Sequence, residues 1–516
     1  MHDVVIAGGG PAGITLALEL AQADLRIALI ESGGEEFDPD TQELYEGEVV
    51  GHDIVDLVAM RLRMLGGTTN HWGGFCVPLD PIDFERRPLS GLSGWPFDRA
   101  HLDPFYRRAH DYLRLGSFDY GRDIVAGLRD RHFLLPQEPR IESTPVRHSR
   151  GPLRFGDTYR EELEASPAID LMLWSNMVGL EVDGDDRIGA VQVSDLDGAT
   201  RRIEGRVVVL ACGAVENARL LMLANAANGR SFGDAGELLG KCYMDHPASG
   251  AGWLTFTPPV SARAYWQSHT APGNVPVSYV WRLADRVLEQ EGLVNAQFYL
   301  IPMIDDPHAR QIRNEARQAD RALRSIAKWA LMRPDRGFQL SEEYCRFITN
   351  ADSFAMHKLE PLTGEGTERV LLKFESEELP DRHNRITLSD DRDALGLPRP
   401  VLHWTPGSVE RESMIRTTTL IGQICGEHGL GRVELEDYDR PHWGTTTSWH
   451  QLGTTRMAVS PTDGVVDADA RVHGTRNLYI AGGSVMPTNG RANPTLTIVA
   501  LTVRLADHLK HEVAAL

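Results

Sequence analysis

The run Asp3-Val-Val-Ile-Ala-Gly-Gly-Gly-Pro-Ala-Gly13 constrains this chain more than any other. Its apolar, β-branched start predicts a buried strand over Asp3–Ala7, and Gly8, Gly10 and Gly13 place a turn directly after it. Helical spacing of Ile14, Leu18 and Ala21 predicts a helix over Pro11–Ala23, and Arg26–Ile30 reads as a second strand ending in Glu31. Strand, helix and strand in this order make a βαβ unit, the start of a doubly wound parallel sheet. In such a turn the first glycine makes the tight bend, the second lets a diphosphate approach the backbone, and the third lets helix and strand pack closely. The helix N-terminus adds amide donors and the positive end of a dipole. Glu31 follows Gly8 by 23 residues, where a carboxylate can accept hydrogen bonds from a ribose. The motif does not separate FAD from NAD, and a glycine turn alone also occurs as plain structure.

Two later passages repeat the strand-then-glycine pattern. Arg206–Ala214 reaches Gly213 and leads into a helical Glu216–Ala224, while Asn477–Gly483 ends on Gly482 and Gly483 before a final helix from Pro494 to about Leu509. One nucleotide-binding domain assembled from separated segments is therefore expected. A length of 516 residues is too great for one core. Residues 258–441 differ in texture, with β-runs at Val277–Trp281, Gln297–Ile301, Arg385–Leu388 and Arg399–Trp404, a turn at Pro380–Asn384, and helical patterns near Ala309–Ala330 and over Ser408–Glu427. They read as a second, mixed domain that shapes a substrate cavity. Trp266 and Trp281 could stack on a sugar, but buried core is the expected role of each.

Net charge of −20 argues against nucleic acid and anionic membrane surfaces as partners. Five cysteines, odd in number and without CxxC spacing, predict reduced thiols and no metal site. No apolar run reaches the roughly 18 residues of a membrane span, and the first strand begins by the third residue. A soluble, cytoplasmic protein is the expectation.

Three further segments carry chemistry. Arg63–Gly74 holds two glycine pairs, Gly66-Gly67 and Gly73-Gly74, around Asn70-His71-Trp72, and such a loop can lie flat against a planar ring. Asn493 precedes Pro494 and Thr495, so the final helix would point its N-terminus, with its dipole, at the negative charge of a reduced flavin. The plain alternative is an ordinary asparagine cap. His450 is a candidate base, since oxidising CH–OH to a carbonyl requires the hydroxyl proton to leave, and a neutral imidazole suits that role. Among 19 histidines a structural role would be the default, and the flanking residues are what change that weighting.

Together these stations resemble the glucose-methanol-choline (GMC) flavoprotein oxidoreductases. The resemblance rests on the Gly8–Gly13 turn with Glu31, Gly66-Gly67, Asn176-Met-Val-Gly179, Ala211–Leu221, Met244-Asp-His-Pro247, Asp381–Leu388, and the tail Ser448–Met457, Ala481–Pro487 and Ala492–Thr497. It implies an α/β fold with a Rossmann-like FAD-binding domain assembled from discontinuous segments, plus an α+β substrate domain with a mixed or antiparallel sheet. The implied division is residues 1–257 for FAD (including the flavin-contacting loop 63–76), 258–441 for substrate, and 442–516 completing the FAD domain with the catalytic pair. Val178 matches the adenine-contacting valine, and His450 and Asn493 match the catalytic residues. Asparagine at the second position is similar to the pyranose 2-oxidase branch and its bacterial sugar and glycoside oxidases. In that branch the loop histidine can be joined to the flavin 8α-methyl. His71 matches it, but Thr69-Asn70 replaces the usual preceding residues, so covalent and non-covalent FAD both remain open.

The expected activity is oxidation of a CH–OH group of a sugar, glycoside or amino sugar, with His450 as base, hydride passing to flavin N5, and O2 or another acceptor reoxidising the cofactor. The alternatives are a lyase on the same fold with a non-redox flavin, an NADPH-dependent hydroxylase, and a non-catalytic flavin-binding partner. Substrate bleaching of the flavin, and failure of NADPH to bleach it, separate them.

Overall fold

The computed structural model describes residues 1–52, 56–89, 91–260, 262–266, 268–302 and 367–515. Five parallel strands form its nucleotide-binding sheet, in the order Ile169–Met172, Ile27–Ile30, His2–Ala7, the second half of Thr200–Leu210, and Leu478–Ile480. They come from four distant stretches of chain: the three strand-then-glycine passages supply four of the strands, and Ile169–Met172 adds an edge strand that the sequence reading did not include. Ile27–Ile30 and Val4–Ala7 are wholly buried, which is why both read as continuous apolar runs rather than alternating ones. The first half of Thr200–Leu210 turns away and pairs antiparallel with Arg187–Ser194, which in turn pairs with Asn176–Asp183.

The first helix runs Pro11–Ala21, two residues shorter than its apolar spacing suggests, and Asp24 follows in the left-handed region at φ 55°. Ala214–Asn228 outlasts the predicted Glu216–Ala224 and stops at Gly229, whose φ of 60° suits only a residue tolerant of that region. The last helix, Thr495–Ala515, packs on the first and on Arg99–Tyr112. Pro494 stands just ahead of it and its carbonyl accepts from the Ile498 amide at 2.8 Å.

The second sheet is antiparallel, in the order Gly431–Leu435, Pro247–Val260, Thr367–Ser376, Ala296–Pro302, Val275–Leu283, Ile141–His148 and Phe75–Cys76. Arg385–Arg392 and Pro398–Trp404 form a hairpin extended by Glu48–Gly51, and Ser408–Glu427 is a helix. Pro247–Val260 crosses the 257/258 boundary drawn from sequence, and Phe75–Cys76 and Ile141–His148 belong to the first segment. We retain 1–257, 258–441 and 442–516 as a proposed division of the chain, with this sheet shared across it. Trp266 and Trp281 are buried, and the Trp281 indole donates to the Tyr265 hydroxyl at 2.9 Å. The helical pattern near Ala309–Ala330 and Cys345 lie outside the described residues; Cys76, Cys212, Cys242 and Cys425 are free thiols. Among the described residues no helix is long and apolar enough to cross a membrane.

Candidate active site

The three glycines of the turn differ in what surrounds them. Gly8 takes φ 111°, and a Cβ there would lie 2.5 Å from the Ala211 carbonyl oxygen. A Cβ on Gly13 would lie 1.8 Å from the Gly8 carbonyl oxygen, so only glycine lets helix and strand come this close. At Gly10 a Cβ would meet nothing within 4 Å, and this residue caps the first helix without a side chain. Open space beside an uncapped helix N-terminus is what an anion requires. The Glu31 carboxylate accepts from the amides of Gly9 at 2.7 Å and Gly33 at 2.9 Å. It therefore also pins the turn, a task its spacing did not reveal. Burial pushes its pKa up, against the pull of those two amides and Arg63. A carboxylate offers about four lone-pair sites, more than these two amides use. Nearby, the Ser175 amide donates to the Glu31 carbonyl, and Asn176 accepts from Ser32. Val178 sits half-buried at a bulge in that same strand.

The 63–76 loop lies directly on this turn. Gly66 donates its amide to the Gly9 carbonyl at 2.8 Å, and a Cβ on Gly67 would come within 3.1 Å of Gly10 Cα. Asn70 holds the loop's own shape, its side-chain amide donating to the carbonyls of Leu65 at 2.9 Å and Gly67 at 3.0 Å. The Trp72 indole is anchored on the Leu153 carbonyl at 2.7 Å. The His71 ring is hydrogen-bonded to the Met60 backbone, while its Nε2 is buried without a partner. Burial, reinforced by Arg154, lowers its pKa to about 4, so the ring is neutral. At the other strand ends, Gly213 opens the Ala214–Asn228 helix, and Gly482 and Gly483 follow Leu478–Ile480. Cβ atoms on Gly213 and Gly482 would, as at Gly10, enter open space, whereas one on Gly483 would strike Leu452. Asn217 ties the two ends, donating to the Ala481 carbonyl and the Ser484 hydroxyl. All three openings lie at the carboxyl ends of parallel strands, where doubly wound sheets bind ligands.

His450 reaches the loop through its neighbour: the Trp449 ring lies 5.8 Å from that of His71. The backbone of Gly453–Met457 bonds to Gly483–Val485, which seats this segment beside the third strand end. The His450 amide donates to Asp245 at 3.0 Å, its Nδ1 is 3.0 Å from Nδ1 of His246, and the two rings meet edge to face. Burial alone lowers the His450 pKa to about 4, giving the neutral imidazole a base needs. Asn493 is buried, with Oδ1 lacking any partner, and after Pro494 the final helix begins at Thr495. The turn before Asn493 is fixed from several sides. His246 Nε2 lies 3.1 Å from the Gly490 carbonyl, Asn489 donates to the Asp245 carbonyl at 2.7 Å, and Arg491 pairs with Asp80.

Asp245, His246 and Asn489 are thus parts of the site that sequence reasoning did not single out. Met244-Asp-His-Pro247 was visible as a station, but its contact with a histidine 204 positions away has no local signature. Asp245, His246 and His450 offer ligand atoms within 4.8 Å of one another, a spacing that suits a cation. Their atoms are already engaged: Asp245 accepts the amides of His246, Ser448 and His450 and the Thr447 hydroxyl, and the two imidazoles face each other.

The arrangement fits FAD: glycine-lined openings at the carboxyl ends of three parallel strands, and two buried polar atoms, His71 Nε2 and Asn493 Oδ1, still needing partners. Residues 380–502 match the family model described as GMC oxidoreductase, and residues 3–37 match that described as FAD binding domain. Over 99% of its length the chain is 25% identical to the fructose dehydrogenase large subunit of Gluconobacter japonicus, covering 98% of that protein. It is 23% identical to the 2-methyl-1,2-propanediol dehydrogenase of Mycolicibacterium austroafricanum, covering 98% of this chain and 95% of that one. It is also 22% identical to paromamine 6'-oxidase of Streptomyces fradiae, covering 98% and 90%. The fold is similar to that of pyridoxine 4-oxidase from Mesorbium loti, with a TM-score of 0.55 at 16% identity over 99% of both chains.

Proposed function

We propose, from the premise that this chain belongs to the GMC oxidoreductases and is an FAD-dependent enzyme acting on CH–OH donors, that its donor is a CH–OH group of a sugar, glycoside or amino sugar. One observation carries the reading. A neutral, half-buried His450 and a partnerless Asn493 Oδ1 belong to two segments both tied to Asp245 and His246, and Trp449 beside His450 meets His71 of the loop on the glycine turn. Gly8, Gly10 and Gly13, Glu31, Gly66, Gly67, Val178, Gly213, Gly482 and Gly483 would hold the cofactor, and Pro494 and Thr495 would aim a helix N-terminus at it. Bound FAD would supply the two-electron acceptor, at flavin N5, for the hydride of the donor carbon. His450 accepts the hydroxyl proton, and the Asn493 side-chain NH2 donates to the oxygen as it becomes a carbonyl. The neutral His71, with a buried, unpartnered Nε2 and a hydrogen bond to Met60 on the other side, is the residue that a covalent link to FAD would use.

The sugar class is supported by the similarity to a fructose dehydrogenase subunit and a paromamine oxidase, and the His450/Asn493 pair favours the pyranose 2-oxidase side of the family. A second reading, a small branched diol, is favoured by the similarity to 2-methyl-1,2-propanediol dehydrogenase. Relatives named oxidase and dehydrogenase both occur, so O2 and another acceptor are both admitted. Four free thiols support a cytoplasmic setting. Anaerobic titration of the yellow holoenzyme with sugars, glycosides, aminoglycosides, small diols and NADPH tests the proposal through flavin absorbance. A sugar-class donor should bleach the flavin. Bleaching by diols or NADPH alone would overturn the assignment, and no bleaching by any donor would favour the lyase.

A further inference from the structure

We propose that His246 is a positioning residue that sets the tautomer of His450 and leaves Nε2 of His450 as the atom that accepts the proton. The inference rests on the reading of His450 as base, and it follows from the hydrogen bonds between two rings that burial keeps neutral. The Gly490 carbonyl can only accept, so His246 Nε2, 3.1 Å away, carries a proton. In a neutral ring the other nitrogen, Nδ1, is then a bare acceptor. It lies 3.0 Å from Nδ1 of His450, and a hydrogen bond between two nitrogens needs one donor. His450 Nδ1 therefore carries the proton, and a neutral His450 is left with its lone pair on Nε2.

The scaffold fixes every link of this chain. Asp245 accepts the backbone amides of both histidines, at 2.7 Å for His246 and 3.0 Å for His450, which sets the distance between the rings. The Asn489 side chain donates to the Asp245 carbonyl at 2.7 Å and holds the Gly490 carbonyl against His246. The rings stand at 86° with centroids 4.9 Å apart, so the Nδ1 atoms meet edge to face rather than by stacking. Burial keeps both rings neutral, lowering His246 to about 3 and His450 to about 4. The acidic groups around them are Asp245 beneath both amides, Glu375 facing His246 from the Thr367–Ser376 strand, and Glu378 behind Asp245. None intervenes between the two imidazoles. Without this relay a neutral His450 could carry its proton on either nitrogen. In the other tautomer Nε2 would be a donor, unable to take a proton.

Long-range 15N–1H NMR of the selectively histidine-labelled holoenzyme at neutral pH reads the tautomers, with His450→Gln and His246→Asn spectra assigning the signals. The expected result is an Nδ1–H tautomer at His450 and an Nε2–H tautomer at His246. In His246→Ala the His450 signals should shift to a tautomer mixture or to Nε2–H, and flavin reduction should slow by about 10- to 10⁴-fold, the upper bound being that of a base locked in the wrong tautomer. In His246→Asn the amide oxygen can accept from Nδ1–H, so both the tautomer and most of the lost rate should return. An Nε2–H tautomer at His450 in the wild type would overturn the inference, as would an unchanged His450 tautomer in His246→Ala. Wild-type reduction in a His450→Ala variant would instead overturn the base assignment while leaving the NMR result standing.

Discussion

Replacing Gly10 by alanine should separate the cost of a methyl group to the fold from its cost to the cofactor. At this position φ is −81° and ψ is −172°, a conformation alanine adopts freely, and a Cβ would touch no protein atom within 4 Å. The gain from a stiffer unfolded chain, about 0.4–1 kcal/mol, is offset by alanine's weakness as a helix cap, which is of similar size. Stability of the apoprotein should therefore change by less than about 1 kcal/mol. FAD affinity should not survive so well. A methyl in this opening holds the diphosphate away from the first-turn amides, and each hydrogen bond to a charged group contributes about 1.5–3 kcal/mol. Loss of one bond weakens Kd by roughly 10- to 100-fold, and loss of two by more. Gly13→Ala is the contrasting perturbation. Its Cβ would lie 1.8 Å from the Gly8 carbonyl oxygen, far inside the 3.4 Å at which ordinary contact begins. Helix and turn must separate, which costs about 1–3 kcal/mol or more and should show in the apoprotein itself. Urea unfolding of each apoprotein and FAD titration by flavin fluorescence give the two numbers. Wild-type FAD affinity in Gly10→Ala would refute the placement of the diphosphate, and a large loss of apoprotein stability there would refute the reading of open space.

The His450 imidazole, lowered to about 4 from its ordinary 6.5, stays unprotonated as pH falls from 7 to 5, so the rate of flavin reduction by saturating donor should stay level over that range and decline only toward pH 4; an acid limb centred near 6.5 would contradict it. Acid precipitation should carry yellow colour down with the polypeptide, and His71→Ala should release it to the supernatant; colour that stays bound in His71→Ala would exclude the proposed bond. Asn493→Ala removes a buried group whose oxygen has no partner in the protein, so folding should be nearly unaffected while flavin reduction slows by about 10- to 100-fold, the loss expected for one hydrogen bond to developing charge; stopped-flow and thermal unfolding check the two halves.

Local backbone demands made much of this site legible from sequence. Gly8 and Gly13 sit where any Cβ would strike a carbonyl, so the requirement is written in adjacent letters. Parallel strands buried on both faces read as plain apolar runs, and the three glycine-ended strands were found that way. What stayed hidden depends on distance in sequence. Phe75–Cys76, Ile141–His148 and Pro247–Val260 join one antiparallel sheet with strands from the middle of the chain, and no short segment announces a partner a hundred residues away. Glu31 was expected to serve a ribose, and its carboxylate is found holding the amides of Gly9 and Gly33, a structural task that its distance from Gly8 in sequence does not announce. His246 was invisible as a functional residue for the same reason as the sheet: its meaning lies in Gly490 and His450, both more than 200 positions away.

The central claim is that His450 removes the hydroxyl proton as the donor carbon gives up its hydride. Anaerobic stopped-flow reduction of His450→Ala, with the donor that best bleaches the wild type, tests it most directly. The account predicts a yellow variant that retains FAD and whose reduction is slower by about 10²-fold or more. Reduction at the wild-type rate, with FAD bound, would contradict it.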